Sequence, residues 1–292
     1  MHQAVDRVAK RKEKTMKKRV RKITAMILAV SMVLGVSGCG KSQKSTQDSG
    51  DTAKVKIAYQ YGLAYAPLTI MQEQGLIEKN YDGDIEVEWV SLNSGSAINE
   101  GMASGDIDVA CMGIAPFISG VTAGIPYKMY GTIAAQPHEL LTNDDSIHSL
   151  KDITDDKKIS VVNIGNIFKA KEQDNIKEAE SLDSVWPEGN AFIVGLVSDD
   201  LYENQPEVYQ AVVDATQEAM DYINNNQEEA ANILCQKEDV TAEMMLSWMQ
   251  DPGCVYDMKL PGVMDMANFM AENDFADKAP ESFEAITTES AR

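Results

Sequence analysis

From about Lys54 onward, apolar and polar positions follow regular periods. Val55, Ile57, Tyr59 and Tyr61 fall on every second residue, which predicts a strand. Pro67 then sits where a helix begins and Gly75 where it stops, with Leu68, Met71 and Leu76 as the apolar side. Ile85, Val87 and Trp89 alternate as a second strand. Ser94-Gly95-Ser96 precedes a helix carrying Ile98 and Met102 that ends near Gly105, and Asp108 to Met112 forms a short third strand. The order β-α-β-α-β with short connections implies an α/β fold with a parallel sheet and right-handed crossovers. Tyr127 to Ala134, Lys158 to Ile164 and Asn190 to Ser198 read as further strands.

The chain then turns helical. Pro206 opens a helix with Val208, Val212, Ala215, Ala219 and Ile223 on one face. Asn226 with Glu229 three residues on fits a capping box for the next helix. Thr241 caps a Met-rich helix, in which Met244, Met245 and Met249 read as core filler. Val263 to Asn273 is the last helix.

A different pattern precedes all this. Ten Lys and Arg residues between Arg7 and Lys22 lead into an apolar run from Ile23 to Val36, then Ser37-Gly38-Cys39. Basic, apolar and small-residue regions in that order are those of a secretory signal. The run of roughly 14 residues is short of the roughly 20 that span a bilayer core. The closing cysteine resembles the lipobox of bacterial lipoproteins, which implies cleavage before Cys39 and lipid on its thiol. Met16 would also open a normal signal. Gly40 to Ala53 is small and polar, as a flexible tether would be.

Removing residues 1–38 changes the charge picture. They hold ten basic and two acidic residues of the chain's 26 and 46, so 16 basic and 44 acidic remain, a net charge near −28. Such a surface repels nucleic acid and anionic head groups. An anionic ligand would have to be held by local groups against that field. Of the cysteines left, Cys111, Cys235 and Cys254, the last two can pair as a disulfide or stay as buried thiols; both readings stand. With only His2, His138 and His148 in the chain, a histidine-built metal site has little to draw on. Nucleophile-elbow, P-loop and dinucleotide-binding motifs are missing. Acidic pairs such as Asp155-Asp156 and Asp199-Asp200 read as solvated loops. Nothing in the sequence argues for an enzyme.

What chemistry there is lies at two helix starts that follow adjacent strands, Gln60-Tyr61 to Pro67 and Asn93 to Ser96. In an open parallel sheet both belong to the carboxyl edge, where ligands bind. Helix N-termini offer free N–H groups to an anion. Gly95 would let a ligand approach the backbone, Ser94 and Ser96 would add hydroxyls, and Tyr61 and Tyr65 would form an apolar wall with polar tips. Ser94 and Ser96 as helix caps alone is an equally good reading.

Several segments together resemble a known family, the substrate-binding proteins of ABC importers in the nitrate/sulfonate/taurine and thiamine-precursor group. They are Lys56-Ile57-Ala58-Tyr59-Gln60-Tyr61-Gly62 with Ala66-Pro67-Leu68, Ser94-Gly95-Ser96-Ala97, Gly101 to Ala110, Gly113-Ile114-Ala115-Pro116, and Asn204 to Val208 with Ala211 and Ala219. The resemblance implies a two-lobed periplasmic-binding-protein type II fold with parallel-sheet lobes, closing on a small ligand and docking on a membrane permease. It implies ligand contacts at Gln60, Tyr61, Ser94, Gly95, Ser96 and Gly113, and no cofactor.

The chain departs from the family after Gly165. That residue runs straight into Asn166-Ile167-Phe168-Lys169, a stretch resembling what the family places later. The second lobe is expected to be shorter by roughly 40 to 50 residues, about one βα unit. The expected division is a signal at 1–38, a lipidated tether at 39–53, a first lobe at 54–136 plus 245–292, and an incomplete second lobe at 137–244. The function expected is a lipid-anchored solute receptor for a small anionic or pyrimidine-like molecule, with a membrane permease as partner. The alternatives are a non-transporting surface lipoprotein of the same fold and, with weaker support, an enzyme resembling the single-turnover pyrimidine synthases. Those synthases need a histidine and a cysteine-rich motif that this chain does not offer.

Overall fold

The computed structural model describes residues 52–154, 164–171, 173–182 and 185–292. The expected signal, Cys39 and nearly all of the expected strand Lys158 to Ile164 lie outside them; Ile164 itself opens a helix. One compact unit runs from Gly50 to Arg292.

Its centre is a five-stranded sheet ordered β2-β1-β3-β7-β4. The strands are β1 (Ala53–Tyr59), β2 (Ile85–Ser91), β3 (Val109–Gly113), β4 (Tyr127–Ala134) and β7 (Ile193–Ser198). β1 pairs parallel with β2 and β3, so the β-α-β-α-β expectation holds. β7 differs from it: this strand runs antiparallel between β3 and β4. All six residues of β7 are buried, which suits a central position covered on both faces.

Alternation along the strands sorts the core into two layers. Val55, Ile57, Val109, Cys111, Ile193 and Val197 face one side, and Ala58, Ala110, Met112, Val194 and Leu196 face the other. Helices α1 (Ala66–Gln74), α2 (Leu76–Asn80) and α7 (Pro206–Asn225) cover the first side. Helices α3 (Gly95–Ser104), α4 (Ile114–Thr122) and α10 (Val263–Glu272) cover the second. All five apolar positions expected on one face of α7 are buried. Cys111 lies within the first layer, where burial pushes its thiol up to about 12.

Residues 139–181 carry a second, small sheet of β5 (Glu139–Thr142) and β6 (Lys177–Ser181), paired antiparallel, with α5 (Ile164–Lys171) beside it. The apolar run of β7 fills the slot between β3 and β4, and α7 lays its apolar stripe on α1 and α2. Helix α8 (Gln227–Glu238) packs on α1 and on α9 (Ala242–Met249). β7 and helices α7, α8 and α9 therefore pack with the first sheet and the helices that cover it.

Local signals are kept in some places and replaced in others. Ser94 caps α3 by accepting from Ala97 N (3.1 Å), and Thr241 caps α9 by accepting from Met244 N (3.2 Å). Asn226 makes no cap bond; its amide donates back to Tyr222 O (3.2 Å), so the expected capping box does not form. Asp199 and Asp200 are not loop residues. They open the short helix α6 (Asp199–Asn204), where carboxylates complement the helix dipole and Asp199 meets Lys128 at 2.8 Å. Cys235 and Cys254 are free thiols, partly buried and unpaired.

Asp108, half-buried just before β3, accepts from Lys56 N (2.8 Å). Burial raises its carboxyl above the ordinary range, and the Lys56 N–H opposes the rise. A carboxyl raised in the folded state stabilises it below the unfolded value and loses that contribution as pH rises through the folded value. Asp108→Asn should therefore gain on the parent at pH 7, by less than about 1 kcal/mol, and lose the gain below about pH 4. Urea midpoints at the two pH values test this; equal differences at both would refute it.

Candidate functional site

Because β1, β2, β3 and β4 all run the same way, their carboxyl ends share one edge. The ladder continues onto that edge through Leu92 N to Tyr59 O (2.9 Å). Three helices start there, each after a strand: α1 after β1, α3 after β2 and α4 after β3.

Gln60, the first residue past β1, is the hub. Its amide is oriented with the oxygen toward Gly95 N (3.1 Å) and Ser94 N (3.3 Å) and the nitrogen toward Tyr65 Oη (2.8 Å), since the reverse would set its nitrogen against two donors. Together with the Ser94 cap, this satisfies the amides of Ser94, Gly95 and Ala97 internally. Ser96 is exposed and keeps its amide and hydroxyl for an outside partner. Gln60→Ala should cost about 1 kcal/mol, because the amides at 94 and 95 lose an acceptor but keep access to water. A midpoint in urea unchanged from the parent would show that the amide bridge contributes nothing.

The two tyrosines part company. Tyr65 sits in a 3-10 turn, Leu63–Tyr65, and is 5% exposed. Burial, with Cys111 nearby, pushes its phenol well above the ordinary value, so it is a core residue whose hydroxyl positions Gln60. Tyr61 is 63% exposed and packs edge-on against Tyr59 (5.6 Å), which in turn meets Trp89 (6.0 Å). The expected wall of Tyr61 and Tyr65 is thus replaced by Tyr61, Tyr59 and Trp89.

Gly95 has a packing reason to be glycine. A Cβ there would stand 2.5 Å from Pro116 Cβ, so α3 and α4 touch at this point. Gly113 has no such reason. It caps α4 at φ −59°, and a Cβ would meet nothing closer than Pro116 Cδ at 3.5 Å. Pro116 links the two glycines, and Ile114 N is taken by Phe192 O (2.9 Å).

Of the residues expected at a site, Gln60, Tyr65, Ser94 and Gly95 form one bonded group, and Ser96 and Gly113 lie at its helix starts. Tyr61 stands outside it. Gln136, past the end of β4, was missed. It is 7% exposed, and its Nε2 is buried with no hydrogen-bond partner. Its signal was its place: like Gln60, it is a glutamine just beyond an apolar strand. Among the described residues no three His, Cys, Asp or Glu side chains are gathered so as to hold a metal ion, and no helix is long and apolar enough to cross a membrane.

The architecture is that of the periplasmic binding proteins. The fold matches the aliphatic sulphonate binding protein SsuA of Escherichia coli with a TM-score of 0.64 at 15% identity, over 82% of this chain and 99% of that one. It matches the Candida albicans CA3427 gene product, described as having the generic periplasmic binding protein fold, at 0.64 and 14% identity, over 81% and 96%. The alkanesulfonate-binding SsuA of Xanthomonas axonopodis pv. citri, bound to MOPS, matches at 0.60 and 15% identity, over 82% and 98%. No curated protein is significantly similar in sequence.

Residues 48–180 match the model of the NMT1-like family. The resemblance read from the sequence is borne out to this extent: that span is similar to the NMT1-like family, and the fold is that of periplasmic binding proteins such as SsuA.

Proposed function

We propose that the chain is a lipid-anchored extracytoplasmic receptor that hands a small oxoanion, of the sulfonate class, to an ABC permease. The carrying observation is the shared carboxyl edge, where the starts of α3 and α4 meet and the exposed Ser96 keeps an unspent amide and hydroxyl. The site residues Gln60, Tyr61, Tyr65, Ser94, Gly95, Ser96 and Gly113 then divide by task. Ser96 and the amide of Gly113 would meet the ligand; Gln60, Tyr65, Ser94 and Gly95 would hold the turn in shape.

A second reading, a flat pyrimidine-like ring, is favoured by the aromatic group of Tyr61, Tyr59 and Trp89. In lobe terms, the first lobe would be 53–136 with 191–292, and the second 137–190. Lipid on Cys39 and the tether after it would keep the receptor at the membrane.

Melting curves with taurine, an alkanesulfonate, nitrate and a pyrimidine test the ligand. At 100 times Kd a bound solute adds about 2.7 kcal/mol, a rise of roughly 5 to 10 °C for a body of this size. Ser96→Ala should weaken a sulfonate most, and Tyr61→Ala a ring. Silence with all four would favour the non-transporting lipoprotein. Cys39→Ser should move the protein from membrane to soluble fraction; retention on the membrane would rule out the lipid anchor.

A further inference from the structure

The small sheet has no core of its own. Among the described residues from Pro137 to Gly189 one alone is buried, Phe168, at 9% exposure. β5 is at best half-buried along its length, and three of the five residues of β6 are exposed. A two-stranded sheet is marginal in water unless it packs on something else.

What it packs through is α5. Phe168 joins the first layer of the main core, and its ring stacks on that of Trp248 in α9. The ring centres are 5.5 Å apart and the planes 17° from parallel, and Trp248 is itself only 4% exposed. One residue on, Lys169 Nζ donates to Glu238 O (2.9 Å), in the last residue of α8, and lies 5.9 Å from the Trp248 ring centre. A lysine suits that place, because the carbonyls ending a helix lack intrahelical partners and carry the negative end of its dipole. α5 also rests against the turn Leu63–Tyr65. Its last residue faces the other way: Lys171 meets Glu139 of β5 at 2.8 Å and Glu178 of β6 at 3.8 Å. Four consecutive positions, 168 to 171, thus grip the main body on one side and the small sheet on the other.

We infer that residues 139–181 are a detachable flap, latched to the main body by Phe168 and Lys169 on α8 and α9. Once the latch lets go, the flap keeps no buried apolar side chain to hold it folded. It opens by losing its structure, whereas a lobe on a hinge stays folded as it swings. That sets it apart from the closing lobe that the sequence resemblance implies. The inference holds whichever solute the first sheet's edge takes. Segments with so few buried contacts open far more often than the core beneath them.

Hydrogen exchange of the full chain, followed peptide by peptide, tests the latch. In the parent, β5 and β6 should exchange at least about tenfold faster than β1 and β3. Phe168→Ala removes the stacked ring and should speed exchange across the flap by a further factor of about ten or more, with β1 and β3 unchanged. Lys169→Met keeps the aliphatic stem but loses the bond to Glu238 O, and should speed the flap by about three- to fivefold. Phe275→Ala, which removes a ring 67% exposed on the main body, should leave the flap as it was. If Phe168→Ala fails to fold, Phe168→Leu and Lys169→Met carry the test. The inference is overturned if β5 and β6 are as protected as β1 and β3 in the parent, or if the latch variants exchange as the parent does. It is overturned too if Phe168→Ala speeds β1 and β3 as much as the flap, since Phe168 would then be an ordinary core residue of one cooperative unit.

Discussion

Phe117→Ala is expected to lower the unfolding free energy by about 3–5 kcal/mol, a fall in Tm of roughly 6 to 20 °C. The ring is fully buried in α4 and lies 5.9 Å from Tyr127. Around it runs a polar frame that cannot close over a void. The Tyr127 hydroxyl is shared between Phe117 O (3.2 Å) and Asn99 Oδ1 (2.9 Å), and Asn99 donates to Pro116 O (3.0 Å). These bonds hold α3 to α4 at a fixed separation, so removing the ring leaves a cavity rather than a collapse. The same two helices carry Ser96 and Gly113, so ligand affinity should fall with stability. Guanidinium unfolding measures the first; a loss under about 1 kcal/mol would mean that the helices close up freely.

Gly95→Ala is the other large effect, a loss of about 1–3 kcal/mol by overpacking against Pro116. The Pro116 ring is fixed to its helix and cannot swing away as a long side chain would. Alanine is otherwise the better helix former, so the sign depends on this one contact. In a Pro116→Ala background, Gly95→Ala should become neutral or stabilising. An equal loss in both backgrounds would mean that the glycine is needed for another reason, such as close approach of a ligand.

Much of the first sheet was legible. Strand Tyr127–Ala134 appears with the bounds its apolar run suggests, and the Pro67, Ser94, Pro206 and Thr241 helix starts stand where their residues place them. These signals are local, each set by a few neighbouring residues. The misreadings share a different character. β7 is a run of buried residues that would suit any central strand, and nothing in Ile193–Ser198 says which partners it takes or in which direction. Tyr65 looks like a wall residue until the 3-10 turn points it inward. Gly95 looks like room for a ligand until Pro116, 21 positions later, is found against it. Asn226 and Glu229 have capping-box spacing, yet the Asn226 amide finds the nearer Tyr222 carbonyl. The Gln60 hub joins residues 60, 65, 94 and 95 by side-chain orientation alone, which no pattern of residue types encodes.

The place of β7 between β3 and β4 has a consequence for assembly. The sheet is incomplete until the chain has closed a loop from the end of β4 at Ala134 to Phe192, whose N–H bonds Ala134 O at 2.8 Å. That closure is an entropic toll taken before the central strand pairs, so it should slow folding more than it affects the final balance. The toll grows only with the logarithm of loop length, about 0.6 kcal/mol for each doubling. Evolution can therefore trim or extend the segment between these two residues with little penalty to the sheet it interrupts, and a short second body is compatible with an intact first one.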